Sequence, residues 1–564
     1  MKSARFVTPS SRYQPTSAIM NNLHKISGSS LAKGLLIFLL AILSLLFLRP
    51  LITSKAKDNA STERQKSLTT GRLKPSASEM EELARRINSA IDESDFAAAR
   101  WGIKVVSMTS GATLYQRDAD KLFTPASNMK IYTTGVALEL LGADYQWRTS
   151  VYARAQPDDR GTIHGDVILY GRGAPDLVSR SVDANKGSLA KLADDLYGRG
   201  IRRVEGNVIG DESYFRGDSL GDGWQWTDMQ WYFGAEASAL SVNENQIDLN
   251  LVPPTKTGES PVVRTSDAGN YVTVENRMVT GKGSQRTTIG LHRGLSDNNI
   301  QVWGELSPGA KGFGARLSVH NPALWAAKMF LDELKTRGIV VAGQAQSRDS
   351  RHAQPQRFDP SQAIELAVVT SQPLSAIAKT TNKESNNLYA ELILRTLGRE
   401  RGAMLNSSEP PGRERGDDET GLAVIRLWLT RAGIPTDRIA LHDGSGLSRL
   451  NLVTSESTVL LLLSLSKAPS SQPFRESLPI SGRDGTLESR LKTLSDQVSA
   501  KTGSLTYSNS LSGYLTTVNG EQLAFSILCN DQTSRGNATH LIDQIAAILA
   551  AFPDFPGEAV HKVK

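Results

Sequence analysis

The sequence predicts a mixed α/β fold of the α+β kind, with an antiparallel sheet between helices and further β-rich domains inserted, on three observations. Helical spacings of apolar residues stand at residues 79–91, 127–141, 386–397 and 538–552, near both ends of the chain. Close to the C-terminus, segments 514–518 and 521–527 flank Asn519-Gly520, the strongest short hairpin signal in the chain. From about residue 147 to 349 the texture changes to short alternating segments broken by Gly and Asp, such as Thr162-Ile163-His164-Gly165-Asp166-Val167-Ile168-Leu169-Tyr170.

The elements follow in order. A basic leader (Lys2, Arg5, Arg12, Lys25, Lys33, with no acid before Asp58) precedes an uninterrupted apolar run of 15 residues, 34–48. That run is short of the roughly 20 residues of a full span, so residues 1–52 read as a signal peptide or a short membrane anchor, and the rest as exported. Residues 53–78 are a polar tether. Within 79–91, Met80, Leu83, Ile87 and Ile91 share one helix face, and 103–115 reads as two strands turning at Thr109-Ser110-Gly111. A helix opening at Ser127 carries Met129, Tyr132, Val136, Leu140 and Leu141 inward, with Pro125 upstream and Gly142 as its stop. The β-rich region 148–350, with one helix at 322–337 and a nested module at about 250–312, separates two parts of the main body, 79–147 and 351–564. Residues 405–418, with Pro410-Pro411-Gly412, read as a surface excursion.

Composition narrows the function. A length of 564 residues suits about three or four domains. The net charge of +6 comes from the leader: residues 1–80 hold 12 Lys/Arg against 3 Asp/Glu, a surplus of 9 that leaves the rest at −3. Nothing therefore suggests a nucleic-acid surface. The single cysteine, Cys529, lies in an apolar stretch and reads as a core residue.

Three short motifs carry chemistry: Ser127-Asn128-Met129-Lys130, Ser385-Asn386-Asn387 and Lys501-Thr502-Gly503. On a helix, Ser127 and Lys130 occupy neighbouring turns of one face, so the amine reaches the hydroxyl. A serine hydroxyl is a poor nucleophile until a base takes its proton, and Lys130 serves only when neutral, which burial and the nearby cation Lys501 favour. Ser385 can relay a proton to a leaving amine, and the Asn387 carboxamide can pair with a substrate peptide group. Lys501 and Thr502 offer an ammonium and a hydroxyl to a terminal carboxylate. Gly503 permits close approach of a substrate backbone, and the Ser127 and Ser504 N–H groups suit an oxyanion hole. Each motif alone reads equally as a helix cap, a polar helix start or an edge-strand turn; their order and setting argue together.

This ordered set resembles the penicillin-recognising serine enzymes, with their S-x-x-K, S-x-N and K-T-G motifs. The 258 residues between Ser127 and Ser385 resemble the class C low-molecular-mass penicillin-binding proteins, the D-alanyl-D-alanine carboxypeptidase/endopeptidase family. So do Gly171-Arg172-Gly173-Ala174-Pro175-Asp176-Leu177, Asp443-Gly444-Ser445-Gly446-Leu447-Ser448-Arg449 and Asp484-Gly485-Thr486-Leu487. The resemblance implies a penicillin-binding/β-lactamase-like fold, catalysis without cofactor or metal, peptidoglycan stem peptides as substrate, and β-lactams as covalent inhibitors. It departs at Asn386, where many relatives carry Asp, and no residue maps onto the acidic deacylation base of class A β-lactamases. Three other functions compete with this reading. A hydrolase using His442, Asp443 and Ser445 lacks the nucleophile-elbow glycines, and a metal amidase lacks H-E-x-x-H. A non-catalytic wall-binding protein is separated from an enzyme by covalent penicillin labelling.

Overall fold

The computed structural model describes residues 75–555, apart from 180–186, 255, 268–270, 282–287, 308–309, 352–357, 406–415 and 534–535. The leader and most of the tether lie outside the described residues, and among those described no helix is long and apolar enough to cross a membrane.

The described chain opens on α1 (Ala77–Asp92), closed by a capping box in which the Ser76 hydroxyl accepts from Glu79 N and the Glu79 carboxylate accepts from Ser76 N. Strands β1 (Arg100–Ser107) and β2 (Thr113–Arg117) follow, then α2 (Met129–Leu141), ended at Gly142 with φ 93°. A second group of elements comes next: β3 (Arg148–Ala153), β4 (Thr162–Ile163), β5 (Val167–Tyr170), α3 (Ser188–Gly198), β6 (Arg203–Val204), β7 (Val208–Asp211), β8 (Gln246–Val252), β9 (Val262–Thr265), β10 (Thr273–Thr280), β11 (Thr288–Arg293), β12 (Asn299–Leu306), β13 (Phe313–Ser318), α4 (Pro322–Thr336), β14 (Val340–Val341), β15 (Ala345–Arg348) and β16 (Ile364–Thr370). The chain then runs through α5 (Leu374–Lys383), α6 (Asn387–Arg401), α7 (Asp417–Arg431), α8 (Ser455–Leu465) and α9 (Ser471–Ser477), and closes on β17 (Val498–Leu505), β18 (Ser508–Thr516), β19 (Gln522–Asn530) and α10 (Thr539–Ala551).

The central sheet has the order β17-β18-β19-β1-β2 and every pairing is antiparallel, which joins the two ends of the chain and leaves β17 on an edge. Its alternating side chains feed two cores. Ile103, Val105, Leu511, Phe525 and Cys529 meet α1 and α10 on one face. Tyr514, Ala524 and Leu528 meet α2, α8 and their neighbours on the other. The β18–β19 hairpin turns through Thr517, whose carbonyl accepts from Gly520 N, with Gly520 at φ 81°, the left-handed conformation that glycine takes freely.

The middle region is less purely β than its texture suggests. A mixed sheet of order β15-β7-β5-β3-β16 runs parallel through β15, β7 and β5. Parallel neighbours need a crossover, and α3, which the alternating pattern hides, supplies it between β5 and β7. Three three-stranded sheets, β14-β6-β4, β13-β8-β9 and β10-β12-β11, complete the insertion among the described residues, around a core that includes Leu249, Val302 and Phe330. The predicted excursion at 405–418 also needs correction at its end. Residues 406–415 lie outside the described residues, but Asp417 and Asp418 are buried in the first turn of α7, where Asp417 pairs with Arg216 at 2.8 Å.

Candidate active site

Ser127 does not begin the helix; it sits in a tight 3₁₀ turn, Ala126–Asn128, just before α2, with Ala126 held at φ 49°. That strained backbone is over-determined by its surroundings. Asn128 Nδ2 donates to the Lys501 carbonyl at 3.0 Å and to Ser510 Oγ at 2.7 Å, and Ser510 Oγ donates to the Pro125 carbonyl at 2.8 Å. The nucleophile turn is thereby tied to the edge of the central sheet. Gly503 is the contact point: a Cβ there would stand 2.8 Å from the Pro125 carbonyl and 3.0 Å from Ser127 N. Only glycine allows β17 so close.

Lys130 occupies the first turn of α2 and is fully buried. Its Nζ lies 3.0 Å from Ser127 Oγ, and it donates to Asn387 Oδ1 at 2.6 Å and to the Ser445 carbonyl at 2.7 Å. Burial pushes this amine down to about 7, against the opposing pull of the buried carboxylates Asp443 and Glu391. Lys501, also fully buried, places Nζ 2.9 Å from Ser385 Oγ and donates to the Thr502 carbonyl at 3.0 Å. Burial first, and then the charge of Lys130, hold it well below the usual lysine range. This refines the sequence argument: burial is the main force on both amines, and the mutual repulsion falls on Lys501. The arrangement places an unprotonated amine beside a serine hydroxyl and a second hydroxyl beside a second amine, which suffices for proton removal and return in acyl transfer.

The other motif residues gather around the same point. Ser385 stands at φ 58°, just ahead of α6. Asn386 is the N-cap of α6, accepting from Tyr389 N at 3.1 Å and donating to Glu244 at 2.8 Å, so its role is to hold the turn. The Thr502 and Thr486 hydroxyls lie 2.7 Å apart. Ser504 is exposed on the edge strand, paired with Asn509, where an incoming chain can meet its N–H.

The roles of two supports escaped sequence reasoning. One is the loop 443–451, buried apart from Arg449 and Leu450, whose first seven residues the sequence offered only as part of the family resemblance. Asp443 accepts from Ser445 Oγ, Gly446 N, Ser448 N and Asn451 Nδ2, while Glu391 accepts from the N–H groups of Gly444 and Ser445, both at 2.9 Å. This aims the Ser445 carbonyl at Lys130. The geometry also disposes of the His442–Asp443–Ser445 hydrolase, because Ser445 is buried and His442 pairs instead with Asp222 at 2.8 Å. The second support is the tryptophan-rich loop 224–236. Trp224 Nε1 donates to Asp443 at 3.0 Å, and the Phe233 carbonyl accepts from Asn387 Nδ2 at 2.8 Å. Its signal was visible as Trp224, Trp226 and Trp231 crowded into a glycine-flanked stretch.

Fold and site together define a serine enzyme served by buried amines, and the comparisons agree. A model of the D-Ala-D-Ala carboxypeptidase 3 (S13) family matches residues 83–552. A D-alanyl-D-alanine carboxypeptidase of Actinomadura sp. (strain R39) is 33% identical over 490 residues, covering 85% of this chain and 86% of that protein. D-alanyl-D-alanine carboxypeptidase DacB of Haemophilus influenzae is 28% identical over 410 residues, or 71% of this chain and 79% of its own. The crystal structure of penicillin binding protein 4 (dacB) from Haemophilus influenzae matches the fold with a TM-score of 0.69 at 24% identity, over 82% of this chain and 98% of that one. The same protein complexed with a β-lactam matches with a TM-score of 0.64 at 23% identity. The chain belongs to the D-Ala-D-Ala carboxypeptidase 3 (S13) family and is a serine-type peptidase of the penicillin-binding class.

Proposed function

We propose that Ser127 attacks the carbonyl of the penultimate D-alanine of a peptidoglycan stem peptide, passing its proton to neutral Lys130. The single observation that carries this reading is the 3.0 Å approach of Lys130 Nζ to Ser127 Oγ in a site where that amine is buried and drawn down to about 7. The N–H groups of Ser127 and Ser504 receive the oxyanion. Ser385, paired with Lys501, gives its hydroxyl proton to the leaving amine and is resupplied with the proton held on Lys130, so that terminal D-alanine or a cross-linking amine departs and an acyl-Ser127 ester remains. Water then releases the acyl group. Asn387 contacts the substrate peptide, while Lys501, Thr502 and Gly503 receive its terminal carboxylate and backbone. β-Lactams acylate the same hydroxyl. No cofactor is required by these steps. The basic leader and apolar run support export, with the body outside the cytoplasm and residues 1–52 cleaved or kept as an anchor.

Ser127→Ala is expected to abolish both fluorescent-penicillin labelling and D-alanine release, with Lys130→Ala close behind. D-alanine release that survives in Ser127→Ala would reject the assignment. Digestion of intact muropeptides, read by mass, then tells carboxypeptidase from endopeptidase action.

A further inference from the structure

The loop 224–236 lies between the inserted sheets and the reacting residues, and it is tied to both. On the inserted side, Arg293 at the end of β11 is only 2% exposed. Its Nη2 donates to the Met229 carbonyl at 2.7 Å and to Ser318 Oγ at 2.9 Å, and Ser318 Oγ donates to the same carbonyl at 2.6 Å. Nη1 closes on the carbonyls of Gly294 and Asp297 at 2.8 and 2.9 Å, so the guanidinium is held from behind. Neighbouring ties repeat the attachment. Gln230 Oε1 accepts from Arg293 N, the Gln230 carbonyl accepts from Ser318 N, and Trp231 bridges to Leu317. A charge kept out of water in this way is expensive unless its hydrogen bonds are used well, and here one of the four, to the Met229 carbonyl, passes from the inserted sheets to the 224–236 loop.

On the catalytic side, the Phe233 carbonyl accepts from Asn387 Nδ2, and Asn387 Oδ1 accepts from Lys130. Between Met229 and Phe233 the loop is stiff. Trp231 N donates to the Asp228 carbonyl at 3.0 Å, Gly234 N donates to the Trp231 carbonyl at 2.9 Å, and a Cβ at Gly234 would stand 2.3 Å from the Asp228 carbonyl. A shift at Met229 therefore reaches Phe233. The consequence is chemical, because a carboxamide has one accepting and one donating end. While Phe233 takes the NH₂, the oxygen faces Lys130. Were the loop to withdraw, the amide could turn its NH₂ toward the amine and occupy the lone pair that must accept the serine proton.

Resting on the roles proposed for Lys130 and Asn387, we infer that Arg293 and Ser318 are positioning residues for acylation: the inserted sheets hold the 228–233 loop, and with it the orientation of the Asn387 carboxamide against Lys130. The insertion thus acts on the reaction as well as shaping the surface around it.

The test uses the full chain carrying Arg293→Met, Arg293→Lys or Ser318→Ala. Three quantities are read: the first-order rate of labelling by fluorescent penicillin, the fraction of molecules labelled at saturation, and kcat and KM for D-alanine release. Arg293→Met is expected to slow labelling and lower kcat about tenfold with KM changed less than about twofold, while the labelled fraction stays at the wild-type level. Ser318→Ala should lose about threefold, and Arg293→Lys should recover only part of the rate, since an ammonium keeps the charge but not the fork that binds Met229 and Ser318 on one arm and Gly294 and Asp297 on the other. Wild-type rates in both Arg293→Met and Ser318→Ala would overturn the inference. So would a loss confined to the labelled fraction with an unchanged rate per labelled site. If Arg293→Met does not fold, Ser318→Ala decides by the same criteria. Ser127→Ala in the same series separates the two readings: if it still releases D-alanine, the catalytic roles fall, and if it is dead while the other variants run at wild-type rates, only the coupling falls.

Discussion

At the scale of the residue, the decisive feature is a fully buried lysine whose amine desolvation holds far below its ordinary range. With Lys130 in the proposed role of neutral base, and its amine drawn down to about 7 by burial, kcat/KM for D-alanine release should fall roughly tenfold per pH unit below that point and level off above it. An acid limb centred in the carboxylate range, near 4 to 5, would exclude Lys130 as the base. The same group shapes stability, and the sign follows from proton counting. Its folded pKa, about 7, lies below the ordinary 10.5, so between those values the unfolded chain binds the extra proton and stability rises with pH. The Tm of the wild type relative to Lys130→Met should therefore improve from pH 7 toward 10. Lys501 touches the Ser385 hydroxyl, so Lys501→Ala is expected to lower kcat as well as raise KM, and a change in KM alone would confine it to carboxylate recognition.

At the scale of the element, the site depends on how closely an edge strand and two loops approach a single turn. Gly503→Ala would force β17 away from the Pro125 carbonyl and Ser127 N, costing about 1–3 kcal/mol of stability and most of the acylation rate. Wild-type labelling kinetics in that variant would refute the close packing. Glu391, on α6, is pushed up to about 7 by burial and yet is engaged by Arg395 at 3.0 Å and by two loop N–H groups. Removing it as Glu391→Ala leaves Arg395 buried without this partner, and a loss of about 3–5 kcal/mol by denaturant unfolding is expected. The same engagement bears on antibiotics. Among the described residues, no carboxylate is hydrogen-bonded to Ser127 or Lys130. Penicilloyl-Ser127 should therefore persist for many turnovers' worth of time by intact-protein mass, and rapid return of free enzyme would refute this.

At the scale of the whole molecule, the central sheet is assembled from both ends of the chain, β1 and β2 from the start and β17 to β19 from the finish, with more than half the sequence folded in between. A chain beginning at residue 75 keeps the capping box that starts α1 and every residue of the site. Removing residues 1–74 is accordingly expected to leave the penicillin-labelling rate unchanged while releasing any attachment to membranes. A slower rate in the shortened chain would give the leader a part in the fold. The inserted sheets are a different matter. Through Arg293 and Ser318 they reach the loop that touches Asn387, so the body cannot be divided into a catalytic part and a passive one.

Sequence alone determined what is local. The helix periods around Leu83, Tyr132, Leu392 and Ile545 and the Asn519-Gly520 turn are set by neighbours a few positions away and stand where periodicity and turn residues put them, and the three motifs are legible as short strings, although Ser127 stands in a 3₁₀ turn ahead of its helix. Tertiary structure decided what depends on distance between remote segments. Burial of Lys130 and Lys501, the 3₁₀ turn under Ser127, the crossover helix α3, and the supports from Glu391, Asp443, Phe233 and Arg293 arise where chain segments separated by tens to hundreds of residues exclude water from one another. Desolvation is a property of that enclosure and of no single motif, which is why the base and its need for burial were nameable from the sequence while the segments that bury it were not.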